Sequence, residues 1–395
     1  MVEFLPNIPN TQTTLRSYAS NIPPRSQPIF GEAMLPKEDG ICRIVSQNVG
    51  CLGVQAFGNN KLRTAKEWLI HHQIDICGWQ EIGFANHVLK RHERMAERMR
   101  DLRWKGIRIS TATNKNESID RFQWGGTSVM SFDLFAHMTK STGVDQSGLG
   151  RWSWLLLEGH RGARIRVISA YNPFKTKPTQ TTTVYAQHKR YFLEKNLDVC
   201  PRIQFRKDLC EFISTCPADS EDIILLMDCN ENLIKFHDLH KHITDDPISL
   251  IDPIRYKYFS GAPLPPTHEH GSFPIDAIFV SYRLLDITCG GWLKFGDGVG
   301  DHRPLYIDIP VKRLLGRYKN VIYPHQIRRL RCQDPRTVVK YNDILEQQYH
   351  HHNTITKLDE FQSLRSDPVT DDDLERLYKI DRTCTQAVRC AEKRC

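Results

Sequence analysis

The sequence predicts an α/β (α+β) protein: a four-layer α/β/β/α sandwich of two mixed β-sheets with outer helices, plus a helical C-terminal appendage. Three observations carry this. Apolar runs of strand length alternate with amphipathic helical stretches, the pattern of helices laid over a sheet. Two runs, 154–158 and 165–170, face each other across a short polar connection and form a hairpin, so antiparallel pairing enters the sheet. The strand-like runs also end repeatedly in acids and amides: Ser46-Gln47-Asn48, Gln80-Glu81, Asp228-Cys229-Asn230, Pro274-Ile275-Asp276 and Gly300-Asp301-His302-Arg303-Pro304. A strand followed by an acid or amide, repeated from separate parts of the chain, is how a metal-dependent hydrolase gathers a site at the end of a sheet.

Residues 1–40 hold Pro6, Pro9, Pro23, Pro24, Pro28 and Pro36 among Asn, Thr and Ser, and read as an irregular arm. Residues 41–48 read as a strand, and 61–72, with Leu62, Ala65, Leu69 and Ile70 on one face, as an amphipathic helix. A buried strand follows at 74–79, then a charged helix at 87–102 whose narrow apolar stripe covers a sheet from outside. Gly125 and Gly126 turn the chain into a strand running to Ser131, ahead of the hairpin. Helices are expected at 185–197 and 203–215, and the uninterrupted apolar run 223–227 belongs inside a sheet covered on both faces. The last strands lie at 277–281 and 305–309, which closes a domain over 41–310. Residues 311–395 form a basic, helical connector with helices at 336–349 and 371–390 that lack a broad apolar face.

A chain of 395 residues buries a substantial core without staples. Its twelve cysteines are irregularly spaced and include no Cys-x-x-Cys pair, the usage of a reduced, intracellular protein. No apolar run approaches the ~20 residues that span a bilayer, so no membrane is expected. The net charge of +8 favours phosphate-bearing partners. From 311 to 332 the chain carries Lys312, Arg313, Arg317, Lys319, Arg328, Arg329 and Arg331 with no acid between them, which suits a solvated linker and a phosphate-contacting strip equally.

In order, context and spacing, Asn48, Glu81, Tyr171, Asp228, Asn230, Asp276, Asp301 and His302 resemble the endonuclease/exonuclease/phosphatase superfamily, the fold of abasic-site endonucleases and pancreatic-type deoxyribonuclease, over roughly 42–310. Within it the chain is most similar to the endonuclease domain of non-long-terminal-repeat retrotransposons. Gly125-Gly126, Arg151-Trp152 and the stretch from Pro266-Thr267 through Gly271 to Pro274-Ile275-Asp276 carry that likeness. The family usually has Gly at Met227 and Ser at Gly300.

Phosphodiester hydrolysis needs an activated water, in-line geometry and compensation of charge on the phosphoryl and leaving oxygens. The resemblance implies Mg²⁺, with Mn²⁺ as its substitute, held chiefly by Glu81 with Asn48 and Asp301 beside it. It implies that Asp228 orients or deprotonates the water, and that Asn230 donates to a phosphate oxygen or positions Asp228. His302 would contact the scissile phosphate, with Asp276 holding its ring. Tyr171 would donate its phenol to a phosphate oxygen, next to Asn172. Residue by residue the bland readings are a capping acid for Glu81 and a turn signal for Asp-x-Asn; their joint order argues against both.

Arg121, Trp124, Arg151, Trp152 and Trp154 interleave cations and aromatics able to grip a backbone or stack on bases, although tryptophans on hairpin strands belong to the core. Arg121, Trp124, Arg151 and Asn172 form the expected substrate-binding set. His350, His351 and His352 read as solvated, and Cys384, Cys390 and Cys395 lack zinc-knuckle spacing. The expected function is a Mg²⁺-dependent, DNA-nicking phosphodiesterase of retroelement origin, acting in the nucleus, with a reverse transcriptase encoded downstream. A phosphoinositide, sphingomyelin or RNA-tail phosphoesterase with the same site, and a module that binds nucleic acid without cutting it, are the alternatives.

Overall fold

Val-, Ile- and Leu-rich runs bounded by turn residues fold as strands covered on both faces. The computed structural model describes residues 29–52, 56–116, 122–177, 179–234, 238–261, 263–316, 335–363 and 371–394. In chain order the strands are β1 (Phe30–Gly31), β2 (Ile41–Asn48), β3 (Ile76–Gln80), β4 (Ile107–Ala112), β5 (Thr127–Phe132), β6 (Thr139–Val144) and β7 (Trp152–Glu158). They continue as β8 (Arg164–Tyr171), β9 (Glu221–Asp228), β10 (Leu250–Ile251), β11 (Asp276–Ser281), β12 (Cys289–Trp292) and β13 (Leu305–Pro310). The helices are α1 (Ala56–His71), α2 (Met95–Arg98), α3 (Asp133–Met138), α4 (Val184–Glu194), α5 (Pro201–Ser214), α6 (Asp238–Thr244), α7 (Pro253–Tyr258) and α8 (Val311–Leu314). The C-terminal part adds α9 (Pro335–His351), α10 (Thr354–Ser363) and α11 (Asp371–Arg394).

A 7-stranded sheet runs β1-β12-β13-β2-β3-β5-β4, and a 6-stranded sheet runs β10-β11-β9-β8-β7-β6. Each is antiparallel apart from one parallel pair, β2 with β3 and β8 with β9. Successive side chains on a strand face opposite ways, which divides the core into layers. Ile44, Ile76 and Val129 of the first sheet meet Leu155, Val167, Ile224 and Ile278 of the second. Their neighbours Val45, Cys77 and Met130 face outward under Leu62 and Leu69 of α1. Ile168, Leu225, Met227 and Phe279 lie on the far side under Phe205, Leu209 and Ile213 of α5. The predicted four-layer α/β/β/α sandwich is what these clusters build. At Gly78 the two sheets approach so closely that a Cβ would lie 2.6 Å from Leu226 Cδ1 and 3.2 Å from Ser169 Cβ.

Several elements depart from expectation. The helix read at 87–102 is a 3₁₀ turn, Arg91–Glu93, and the single turn of α2, because Arg94 between them is extended (φ −68°, ψ 151°). Asn86 Oδ1 accepts from Met95 N at 3.0 Å, so a side chain competes with the backbone for the helical start. Five strands, β1, β4, β6, β10 and β12, gave no sequence signal: they are short, polar or glycine-containing. The arm joins the sheet from Phe30, which pairs with Trp292, and the sandwich runs past 310, since Val311, Leu314 and Leu315 lie in the inter-sheet core. Helices α9, α10 and α11 pack on one another, burying Ile344, Ile380 and Ala387. Residues 1–28 and most of the basic strip, 317–334, lie outside the described residues. Among the described residues no helix is long and apolar enough to cross a membrane.

Candidate active site

The two parallel pairs end in register at polar residues. Asn48 stands opposite Gln80, and Tyr171 opposite Asp228. The antiparallel strands β11 and β13 begin at the same end: Asp276 pairs with Asp228, and Leu305, just after His302, pairs with Ser46. The strand ends of both sheets therefore meet at one rim of the sandwich.

After β3 the chain turns sharply, placing Glu81 in the left-handed region (φ 52°), a conformation uncommon for a residue with a side chain. The loop is held by Cys51 N donating to Glu81 O at 2.7 Å, and by Ile82 N and Gly83 N donating to Gly126 O and Gly125 O at 3.3 and 3.1 Å. Gly125 and Gly126 both have positive φ (84° and 83°), which explains the glycine pair. Held this way, Glu81 accepts from Asn48 Nδ2 at 3.1 Å through Oε2 and from the Tyr171 hydroxyl through Oε1. Asn48 Nδ2 also donates to Asp228 Oδ2 at 2.9 Å and so joins the two sheets.

Asp228 is 1% exposed. Its Oδ1 accepts from Asn230 N at 2.9 Å and its Oδ2 from Asn230 Nδ2 at 3.3 Å. Asn230 is itself left-handed (φ 47°) and donates to Asn172 O at 2.8 Å. Opposite, Asp276 Oδ2 lies 2.8 Å from His302 Nδ1, both residues being buried. Thr267 Oγ1 fixes that strand start by accepting from Ile275 N and Asp276 N at 2.9 and 3.1 Å. The loop before β13 is pinned by Gln47, whose Nε2 donates to His302 O at 2.9 Å and whose Oε1 accepts from Val299 N at 3.2 Å. Gly300 in this loop has φ 99°, and a Cβ there would come within 3.1 Å of the Val49 backbone, so glycine at this position is a backbone requirement.

Electrostatics follow from the crowding. Burial and then the facing Asp276 push the Asp228 carboxyl well above the usual range. Burial alone would lower His302, but Asp276, Asp228 and Asp301 outweigh it and favour the imidazolium. Burial and Glu81 raise the Tyr171 phenol, keeping its proton. Asp301 is held below the ordinary carboxylate range, chiefly by its hydrogen bond from His268, with His302 adding to it.

Glu81, Asn48 and Asp301 offer oxygen donors only. Each Glu81 oxygen accepts one hydrogen bond from a neighbour and retains lone-pair capacity. The Asp301 side chain is 47% exposed and lies beside Gly50, 3.3 Å from where a Cβ there would stand. An all-oxygen donor set in which Glu81 and Asp301 are partly exposed fits a hard divalent ion that keeps several waters.

The remaining expected residues are placed differently. Arg151 is 2% exposed, and its guanidinium donates to Asp145 Oδ2 and Oδ1 at 2.7 and 3.0 Å and to Asp208 at 2.6 Å. It thus lies inside the fold and away from any substrate surface, a correction to its expected gripping role. Asn172 is also buried, donating to Cys229 O at 2.7 Å and tying β8 to β9. Trp152 packs against Phe212 of α5, while Trp124 is 45% exposed and meets Phe122 edge-on at 4.9 Å. Arg121 lies outside the described residues. Sequence reasoning passed over Lys61, whose Nζ donates to Gly50 O at 2.7 Å, and His268, whose Nε2 lies 3.3 Å from Asp301 Oδ2. The Thr-His-Glu-His run at 267–270 was the visible signal for the latter.

No family profile matches the chain, and no curated protein matches it in sequence. Solved structures do. The AP endonuclease of Leishmania major superimposes with a TM-score of 0.50 at 12% identity, over 68% of this chain and 88% of that one. The endonuclease domain of TRAS1, a telomere-specific non-LTR retrotransposon, gives a TM-score of 0.42 at 14% identity over 70% and 100% of the two chains. The human Nocturnin catalytic domain gives 0.45 at 13% identity over 71% and 96%. The sandwich is the endonuclease/exonuclease/phosphatase fold.

Proposed function

We propose that the chain is a divalent-metal-dependent phosphodiesterase that nicks DNA. The observation that carries this is the joining of Glu81, Asn48, Asp228 and Asn230 in one hydrogen-bonded group at the rim where Asp276 and His302 also stand. Asp228, a base strengthened by burial and by Asp276, takes a proton from the attacking water. Asn230, whose backbone N and Nδ2 donate to the two Asp228 carboxylate oxygens, holds Asp228 in place. His302, kept as imidazolium and oriented through Nδ1 by Asp276, presents its other nitrogen to a phosphoryl oxygen. Tyr171 donates its one phenolic proton to Glu81 and so anchors that carboxylate. Glu81, Asn48 and Asp301 would hold Mg²⁺ or Mn²⁺, which when bound supplies positive charge to the phosphoryl and leaving oxygens.

The exposed Phe122–Trp124 pair offers a stacking surface for bases, and with the net charge of +8 it supports nucleic acid as substrate. The motif likeness at Gly125-Gly126, Arg151-Trp152 and Pro266-Thr267 supports a retroelement origin, a nuclear site of action and a reverse transcriptase encoded downstream. Supercoiled plasmid incubated with Mg²⁺ is the test. Open circles should form, and their formation should stop with chelator, with Asp228→Asn and with His302→Ala. Plasmid that is bound and left intact would reduce the chain to a binding module, and hydrolysis confined to inositol or lipid phosphates would replace the substrate.

A further inference from the structure

Beside His302 stands a second imidazole that the proposed hydrolysis does not use. His268 forms an isolated backbone bridge with His302, and their rings lie 4.8 Å apart. Its Nε2 is 3.3 Å from Asp301 Oδ2. One ligand atom from each of His268, Asp301 and His302 lies within 4.8 Å of the others. The cluster opens to solvent, with the His268 and Asp301 side chains 29% and 47% exposed, so an ion has a path to it.

The donor chemistry differs from that around Glu81. Two imidazole nitrogens and one carboxylate oxygen make a borderline-soft set, which binds Zn²⁺ well above Mg²⁺. With metal–ligand bonds of about 2.1 Å, ligand atoms of a tetrahedral zinc site stand roughly 3.4 Å apart. The His268–Asp301 separation of 3.3 Å already matches one edge of that tetrahedron. The third ligand is the independent observation. His302 Nδ1 is taken by Asp276 Oδ2 at 2.8 Å, which leaves Nε2, once zinc displaces its proton into solvent, as the ligating atom of a ring braced from behind by a carboxylate. That carboxylate–imidazole arrangement is the one that orients and strengthens zinc-ligating histidines. Three protein ligands leave the fourth position for water.

We propose that His268, Asp301 and His302 form a Zn²⁺ site, and that zinc held there switches the hydrolysis off. Zinc at this position takes the His302 nitrogen meant for the phosphate and the Asp301 carboxylate meant for the hard ion, so the two metals compete through shared side chains. The switch rests on the hydrolase reading given above; the binding site does not.

Calorimetric titration of the full chain with Zn²⁺, in excess Mg²⁺ and without DNA, should show a zinc-binding event that His268→Ala weakens at least as much as the roughly 10–100-fold that loss of a mere outer-shell partner costs. His268→Cys, which keeps a zinc ligand at the position, should restore it. Co²⁺ in place of Zn²⁺ should give the intense visible absorption of a tetrahedral centre in the parent and not in His268→Ala. In the plasmid assay zinc should stop nicking by the parent at concentrations at least tenfold below those needed for His268→Ala. Identical isotherms for parent and His268→Ala would overturn the site, the ions then residing elsewhere, for instance at His350–His352. Zinc that binds through His268 yet leaves nicking unchanged would overturn the switch. A chain that binds zinc through His268 but never nicks in Mg²⁺ would overturn the hydrolase reading together with the switch, and leave the site standing.

Discussion

Arg151 shows how a residue's role depends on partners that a sequence does not align. Read beside Trp152 it looks like a hand for phosphate; folded, it lies between Asp145 and Asp208 with 2% exposure. Removing one member of a buried ionic group strands the others. Arg151→Ala should therefore cost about 3–5 kcal/mol of stability, read from the denaturant midpoint. Arg151→Lys, unable to hold Asp145 bidentately while reaching Asp208, should recover only part of it. A destabilised variant that still binds DNA normally would confirm the internal role, whereas lost binding at unchanged stability would restore the surface one. Asn48, Glu81 and Asp228 were legible because each closes an apolar run, and His302 because it stands just ahead of one; strand ends are where a sheet exposes side chains together. His268 was not, because its meaning comes from a bridge to His302 formed across the fold.

Elements were legible where local pattern and final packing agree. The strand read at 41–48 is β2, Ile41–Asn48, and the runs at 154–158 and 165–170 pair as the expected hairpin with Leu157 opposite Ile165. The stretch 87–102 misled because charged residues with a narrow apolar stripe fit a helix, while Asn86 and the extended Arg94 break it. Two predictions belong at this scale. Gly78→Val puts branched carbons where Leu226 and Ser169 already touch, and such overpacking should cost about 1–3 kcal/mol. Because Asn48 and Asp228 face each other across the same gap, nicking should fall by more than the unfolded fraction explains, as a drop in kcat at fixed folded concentration.

The second concerns α4, whose His188 is 1% exposed and lies with Nε2 3.2 Å from Leu149 O. Burial, with Arg151 adding to it, lowers this imidazole from 6.5 to about 3. The folded chain keeps His188 neutral while the unfolded chain protonates it below about 6.5. Its contribution is thus complete above that pH and is lost as pH falls toward 3, with a slope of up to about 1.4 kcal/mol per pH unit. His188→Gln should flatten the acid limb of the stability–pH curve between those values. A limb unchanged in the variant would assign the slope to other groups.

At the scale of the whole molecule, two sheets with outer helices could be read from alternating patterns, but strand order could not. Nothing local states that β13 lies between β12 and β2, or that β1 pairs with β12; those neighbours are distant in sequence and meet only through tertiary packing. The limits of the sandwich are likewise set by packing. Val311, Leu314 and Leu315 enter the inter-sheet core, and Leu315 O accepts from His160 N at 2.8 Å. A chain ending at 316 should keep the thermal midpoint of the sandwich and its nicking, since α9, α10 and α11 pack chiefly on one another. A chain ending at 310 should lose several kcal/mol, at roughly 1.5–3 kcal/mol for each buried aliphatic side chain removed. Equal midpoints for the two truncations would show that α8 contributes nothing.

The pairing of β1 with β12, and of β2 with β13, also sets a timetable for synthesis. As the ribosome delivers the polypeptide, β2 waits with one edge bare, and β1 has no mate, until β13 and β12 emerge far downstream. Glu81 and Asp228 leave the exit tunnel before the imidazole at 302, so if the chain hydrolyses phosphodiesters as proposed, the groups assigned to that chemistry come together only in the finished sandwich.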